Sequence, residues 1–505
     1  MRQILVLHAM SHYMRQTTFE FNLSFGRYAP EDCKVTYHNI RDPHLPDQLE
    51  AGFDSLFLTY DLLGLRTSTQ WEWAVSRIGL IRSNCDQLVA FPQDDYTANI
   101  VLDNSLFELQ TDVIYSPIET GLEILYPKMS KNSIIRHALT GYVDEIRSIK
   151  YLAKWELGFG PEREIDIGTR VRSLPPWIGR KGMEKGALAH SVNSLSETSD
   201  LILDVSTKTT DVFFGNDWHD FLLKSKATIG QKGGASLCDP DGSIAIAVQK
   251  YLAEHPNASF EMVEESCFPG LDGLADMSAI SPRLFDAAMT GTIQILIEDD
   301  YLGLFEPWVH YIPTDSNLSN FEEITLFLRN PKKVFEMANA AADILIRSDR
   351  FTYRSFVASV LKSPDRGSKR SDVSATPTPS NQLQWVISSH LFESLQQVLY
   401  LARATNSTDE ILELFSKMKH LSFEQRDLIT NIDYALFRFL TGWQSKHPAI
   451  DNLMPTIIDL TRECILHGGI ELVQEIAVRA QDTSLEDWHF LDWVSRDHIE
   501  IWKQL

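Results

Sequence analysis

The chain has few of the features that mark specialised classes. Its five cysteines (Cys33, Cys85, Cys238, Cys267, Cys464) are scattered, odd in number and without a C-x-x-C spacing. That pattern fits free thiols in a reducing compartment better than a disulfide framework. No zinc-ligand spacing and no H-E-x-x-H occurs, so no metal is expected. No run of eighteen apolar residues exists, which excludes a membrane-spanning helix. The opening MRQILVLHAM has only four apolar residues before His8, too short for a signal-peptide core, and it reads as a first buried strand. Basic residues are also in deficit, 46 Lys and Arg against 69 Asp and Glu, a net charge of -23. Such a surface repels phosphate backbones and disfavours nucleic acid, while a local basic pocket for a small anion stays open.

What is present is the composition of a folded chain, 44% hydrophobic and 10% aromatic, over 505 residues, enough for two or three domains. Short apolar runs at 4–7, 34–38, 55–59, 87–91 and 112–115 read as strands, with helical stretches at 17–25 and 69–84 between them. A second series follows, with strands at 164–172, 201–205, 226–229, 293–298 and 310–313 and helices at 183–191, 243–254 and 282–289. Strand and helix in alternation imply parallel sheets with helices on both faces. The expected architecture is two Rossmann-like lobes, 1–150 and 151–362, the second ending in a helix 332–361 that returns between them. In such sheets ligands bind beyond the carboxyl ends of the strands, so the cleft between lobes is the default site. A Ser/Thr/Pro-rich linker is expected over 363–381 and a separate all-α domain over 382–505. The stripe Leu485, Trp488, Leu491, Trp493, Ile499 and Trp502 in that tail suits packing on its own domain or a partner protein better than an anionic membrane.

Several segments carry candidate chemistry. FPQDDY places Asp94 and Asp95 just past a strand, where a carboxylate serves as general base or stabilises positive charge at an anomeric carbon. The plainer reading is that they cap the next helix. Tyr60 and Asp61 follow another strand. IDIGTRVRSLPPWIGRKGMEKG is the densest basic stretch, with Arg170, Arg172, Arg180, Lys181 and Lys185 at a strand-to-helix turn suited to a diphosphate, or else on a solvated loop. Gly233 and Gly234 follow a further strand and permit close approach to a ligand, or simply turn the chain. ASLCDPDG reads as an irregular surface loop. Over 278–324 a helix begins at Pro282 and carries Arg283 and Asp286 on one face; an ion pair between them is the plainer account.

SPRLFDAAMTGTIQILIEDD followed by PWVHYIPTDSNLSNFEE resembles the donor half of GT-B glycosyltransferases, in particular bacterial group-1 and CgeB-like enzymes of polysaccharide assembly. FPQDDY, IDIGTRVR and ASLCDPDG are similar to pieces of such proteins, and the resemblance covers roughly residues 1–360. It implies that Asp286 stands where these enzymes place a ribose-binding Glu. Their partner Glu eight positions earlier is Ser278 here, so Glu298 or Asp299 takes the sugar. Lys185 matches a diphosphate-binding lysine, and Arg170 and Arg172 replace Arg180 because Leu-Pro-Pro-Trp intervenes. Ser281, Arg283 and Gly234 complete the donor set, with Asp94 or Asp95 catalytic. The implied activity moves a sugar from a nucleotide-sugar donor to a hydroxyl of a glycan or lipid-linked glycan, without metal or other cofactor, and with retention. The implied setting is the cytoplasm, with peripheral contact at the inner membrane face left open. A nucleotide-sugar epimerase and a non-catalytic assembly protein are the rival readings.

Overall fold

A computed structural model describes residues 1–362 apart from 10–15, 42–44, 47–48, 156–162, 172, 196–198, 209–210, 212 and 214–216. The expected linker and all-α domain therefore lie outside the described residues, as does the tryptophan-rich stripe. By packing, the chain divides after Phe53 into two units. In the first, strands β1 (Arg2–His8) and β2 (Cys33–Asn39) flank helix α1 (Gln16–Arg27). They pair in parallel, Arg2 opposite Cys33 and His8 opposite Asn39. Ile4, Leu5, Val6 and Leu7 are wholly buried, as an unbroken apolar run in a parallel sheet requires.

The second unit holds two sheets. The first uses β3 (Phe53–Leu58), β4 (Cys85–Ala90), β5 (Val113–Ser116) and β6 (Ile134–His137), side by side in that order. Helices α2 (Tyr60–Leu63), α3 (Trp71–Arg82), α4 (Asn99–Glu108), α5 (Leu122–Leu125) and α6 (Met129–Asn132) connect them. After α7 (Glu145–Leu152) come β7 (Ile165–Arg170), α8 (Arg180–Ser194), β8 (Leu203–Ser206), α9 (Asp217–Lys224) and β9 (Ser225–Gly230). A hairpin of β10 (Gly233–Ala235) and β11 (Met277–Ala279) encloses α10 (Ser243–Glu254) and α11 (Phe260–Cys267). The second sheet is completed by α12 (Arg283–Met289), β12 (Ile293–Ile297) and β13 (Ile312–Thr314), followed by α13 (Phe321–Leu328), α14 (Pro331–Ala342) and α15 (Tyr353–Lys362).

This second sheet is parallel throughout, in the order β8-β7-β9-β12-β13. Numbered from its own first strand, that is 2-1-3-4-5, a doubly wound order whose direction reverses between β7 and β9. Ligands in such sheets bind in the crevice at the carboxyl ends of the strands flanking the reversal. The expected single helix over 332–361 is broken. A π-helical turn follows Ala342, Asp349 takes a left-handed φ of 54°, and the chain restarts at Tyr353. The break turns α15 onto the first sheet, where Phe356 stacks on Tyr142 at 4.3 Å and meets Phe91 and Tyr115 edge-on. Among the described residues no helix is long and apolar enough to cross a membrane.

Candidate anion-binding crevice

The reversal point is reached from two sides. On one side lies α8, whose first turn follows Gly179. Gly179 has φ 85° and ψ 177°, a conformation open only to glycine. A Cβ there would lie 2.4 Å from both Asp272 Oδ1 and Ser236 Oγ. The tight approach lets these two side chains close the helix. Both Asp272 oxygens accept from the Arg180 amide at 3.3 Å, Ser236 Oγ accepts from the Lys181 amide at 3.1 Å, and Ser236 donates to Asp272 at 2.7 Å. The amino terminus expected to receive a phosphate thus already holds a carboxylate. Arg180 turns outward to Glu261 (3.1 Å) and Glu264 (3.2 Å) and covers the Phe260 ring.

Lys181 turns inward. Its ammonium meets Asp299 Oδ2 at 3.2 Å, and Lys232 meets Asp299 Oδ1 at 3.0 Å. Lys232 lies two residues past the end of β9 and Asp299 two residues past the end of β12, so two cations share one carboxylate at the carboxyl ends of the sheet. Burial pushes the Asp299 carboxyl up, but the contacts with Lys232 and Lys181 outweigh it and hold it below the usual carboxylate range. Gln231 Nε2 donates to the Lys181 carbonyl at 2.9 Å, while its buried Oε1 has no hydrogen-bond partner. That oxygen is an acceptor left for a ligand hydroxyl or amide. Beside this cluster a cavity of about 540 Å³ is lined by Glu184, Glu298, Trp308, Asp315, Asn320 and Glu323, among others. Glu298 is exposed at its edge.

On the other side of β7, Arg170, Arg283 and Asp286 meet around α9. Arg170 pairs with Asp204 at 2.8 Å and lies between the Phe213 and Phe221 rings, at 4.8 and 4.5 Å. Arg283 donates to the Arg170 carbonyl and lies over Trp218 at 4.9 Å. The Asp286 carboxylate accepts from Trp218 Nε1 at 3.1 Å and contacts His219 Nε2 at 3.2 Å, and His219 stacks on Tyr151. Burial would raise the Asp286 carboxyl, but His219, Trp218 and the charge of Arg147 bring it below its ordinary value. Ser281 Oγ accepts from the Arg283 amide at the start of α12. Gly234 (φ 104°) sits opposite Ser278 in the hairpin, where a Cβ would be 2.0 Å from the Met277 carbonyl oxygen, so sheet pairing already demands a glycine there. Arg172 lies outside the described residues, as does the Lys185 side chain, although its backbone is in α8.

The Asp94 loop follows β4 of the first sheet. Asp94 has a left-handed φ of 50° and an exposed side chain whose Oδ1 accepts from Tyr96 at 2.8 Å. Asp95 is wholly buried; Oδ2 accepts from Ser116 and Tyr126, and Oδ1 has no partner. Burial pushes its carboxyl above the ordinary value against the pull of both hydroxyls and of Arg66. The adjacent pair is therefore split, Asp94 outward and Asp95 into the core. Tyr60 and Asp61 open α2. ASLCDPDG is not a free surface loop: Asp239 is 3% exposed, it exchanges backbone hydrogen bonds with Tyr96 and Ala98, and the Pro240 carbonyl accepts from the Ile100 amide. One loop thus runs from the α8 cap at Ser236 to the Asp94 loop at Asp239. Sequence reasoning passed over Lys232, Asp272 and Arg66. Lys232 carried the same signal as Asp94, a polar residue just past a strand.

Among the described residues no group of three His, Cys, Asp or Glu side chains is placed to hold a metal ion. No protein-family model matches the sequence, and no curated protein sequence matches it. Solved structures similar to the chain include an alpha-glucosyltransferase in complex with UDP, at 11% identity and a TM-score of 0.40, covering 72% of this chain and 98% of that one. HepE of Anabaena in complex with UDP and glucose aligns at 10% identity and a TM-score of 0.37, covering 72% of this chain and 100% of its own. Such scores establish no common fold.

Proposed function

We propose that the chain is a GT-B-type glycosyltransferase that moves a sugar from a nucleotide diphosphate donor to a hydroxyl of a glycan. The observation that carries this reading is the convergence of Lys181 and Lys232 on Asp299 at the reversal point of a parallel sheet, in a chain of net charge -23. A diphosphate displaces Asp299 from the two ammonium groups, which then hold the negative charge that develops on it as it leaves. In the transfer step the acceptor oxygen bonds to the anomeric carbon and the carbon–oxygen bond to the diphosphate breaks. The acceptor proton passes to the departing phosphate, and Asp94 stabilises the positive charge on the sugar. The reading includes retention and no divalent metal. The bacterial surface-polysaccharide acceptor rests on the group-1 and CgeB-like resemblance alone.

Incubation with UDP-, GDP-, dTDP- and CMP-linked sugars, each with and without an oligosaccharide acceptor, tests the reading. Glycosylated acceptor and free nucleotide are expected for one donor, and Asp94→Asn lowers their rate. Conversion of a donor without acceptor points to an epimerase instead. The carboxylate already seated on the α8 amino terminus favours a second reading, a non-catalytic nucleotide-sugar binder. That reading predicts a donor bound and recovered intact from every mixture.

A further inference from the structure

Arg66 lies at the end of a short helical turn after α2, and it is only 6% exposed. Among the described residues its guanidinium forms no ion pair within 4 Å, and its hydrogen bonds go to four backbone carbonyls. Nη1 donates to Leu63 at 2.9 Å, Nη2 to Gln93 at 3.1 Å and Asp94 at 2.7 Å, and Nε to Thr97 at 2.8 Å. Three of these four carbonyls belong to the loop that carries Asp94. A buried guanidinium is costly to desolvate, and a loop that needed only a turn is stabilised more cheaply by water or one side chain. What the fork adds is a fixed geometry for the Gln93, Asp94 and Thr97 carbonyls.

Two further anchors hold the same loop. Gln93 Nε2 donates to the Thr140 carbonyl at 2.8 Å, and Thr140 Oγ1 in turn donates to the Ile280 carbonyl at 2.6 Å, ahead of α12. Asp239, in the loop between β10 and α10, exchanges backbone hydrogen bonds with Tyr96 and Ala98, while its carboxylate accepts from the amides of Gly242, Ile244 and Ala245 at the start of α10. Asp94 itself occupies a left-handed conformation, with φ 50°, and these anchors hold its loop in that shape. We propose that Arg66 is a positioning residue for glycosyl transfer: it forces the Asp94 backbone into the conformation that presents the carboxylate outward, while Asp95 turns into the core. The inference rests on the reading that Asp94 faces the reacting sugar.

The experiment is a double-mutant cycle on the full chain. It uses the sugar nucleotide turned over best among the UDP-, GDP-, dTDP- and CMP-linked set, with kcat and calorimetric donor affinity measured for each variant. Arg66→Lys keeps the charge and loses the fork. A small displacement of a reacting group costs about 100-fold, so kcat is expected to fall about 100-fold with donor affinity within a factor of three. Adding Asp94→Asn to Arg66→Lys costs little more, because a displaced carboxylate has nothing further to lose. Gln93→Leu loosens the loop without touching a buried charge, and it reproduces the kcat loss if the Arg66 variant does not fold. Multiplying losses in the double variant, or donor affinity falling in step with kcat in both single variants, overturns the proposal. Unchanged turnover in Asp94→Asn alone instead removes the catalytic assignment on which it rests.

Discussion

Replacing Gly179 by Ala probes the entrance to α8 more sharply than any charge substitution. The backbone there has φ 85° and ψ 177°, and holding a Cβ in that region costs about 1–3 kcal/mol. The added carbon also meets Asp272 Oδ1 and Ser236 Oγ at 2.4 Å and the Leu237 amide nitrogen at 2.8 Å. None of these is a free chain end, because Ser236 and Asp272 bond each other and the first amides of α8. Relief by movement breaks those bonds, at about 0.5–1.5 kcal/mol each. The sum is about 4 kcal/mol. Gly242→Ala serves as the reference: its φ is 86°, but no atom lies within 4 Å of the new Cβ, so only the left-handed cost of about 1–2 kcal/mol applies. With a urea slope of about 2–3 kcal/mol/M, the two midpoints differ by about 1 M. Urea unfolding followed by tryptophan fluorescence gives that difference. Hydrogen exchange over 173–194 shows whether α8 opens first. Equal midpoint losses in the two variants refute the reasoning, because they leave no contribution from the Asp272–Ser236 closure.

Asp95→Asn keeps an acceptor for Ser116 and Tyr126 and removes a titrating group. Burial raises the folded-state value of Asp95 above that of the unfolded chain, so its contribution is fully present below about pH 3.9 and is lost as pH rises through the folded value. Wild type therefore loses stability relative to the variant between pH 4 and neutrality, read from urea midpoints across that range; parallel curves contradict this. Asp286→Ala leaves Trp218 Nε1 and His219 without their acceptor, which costs about 2–4 kcal/mol in the same assay. Because the folded value of Asp286 is depressed, that difference is present above about pH 4 and shrinks as pH falls through the folded value. A difference that does not shrink as the pH is lowered contradicts it.

Much of the fold was legible because parallel strands are continuous apolar runs. The run over 4–7 became β1, 87–91 became β4, and 243–254 coincides with α10. β6 was not legible: Ile134–His137 is an edge strand whose four residues are exposed or half-buried, so no apolar pattern marks it. The break after α14 was hidden because Asp349 adopts a left-handed φ that no glycine announces. The site was less legible than the fold. The basic stretch 170–185 looked like one cluster, but its members diverge. Arg170 goes to Asp204 and two aromatic rings, Arg180 to three acids, and Lys181 to the crevice. Their partners Asp204, Glu261, Asp272 and Asp299 lie 34 to 118 residues away, a distance over which spacing is silent.

The central claim is that Lys181 and Lys232 together hold the diphosphate of a sugar nucleotide. Calorimetric titration of wild type, Lys181→Ala, Lys232→Ala and the double variant with UDP-, GDP- and dTDP-linked sugars tests it most directly. The account predicts that wild type binds one of these donors, that each single variant binds it about tenfold more weakly, as loss of a charge-assisted contact of about 1.4 kcal/mol requires, and that the double variant does not bind it measurably. A donor bound equally by wild type and the double variant contradicts the account.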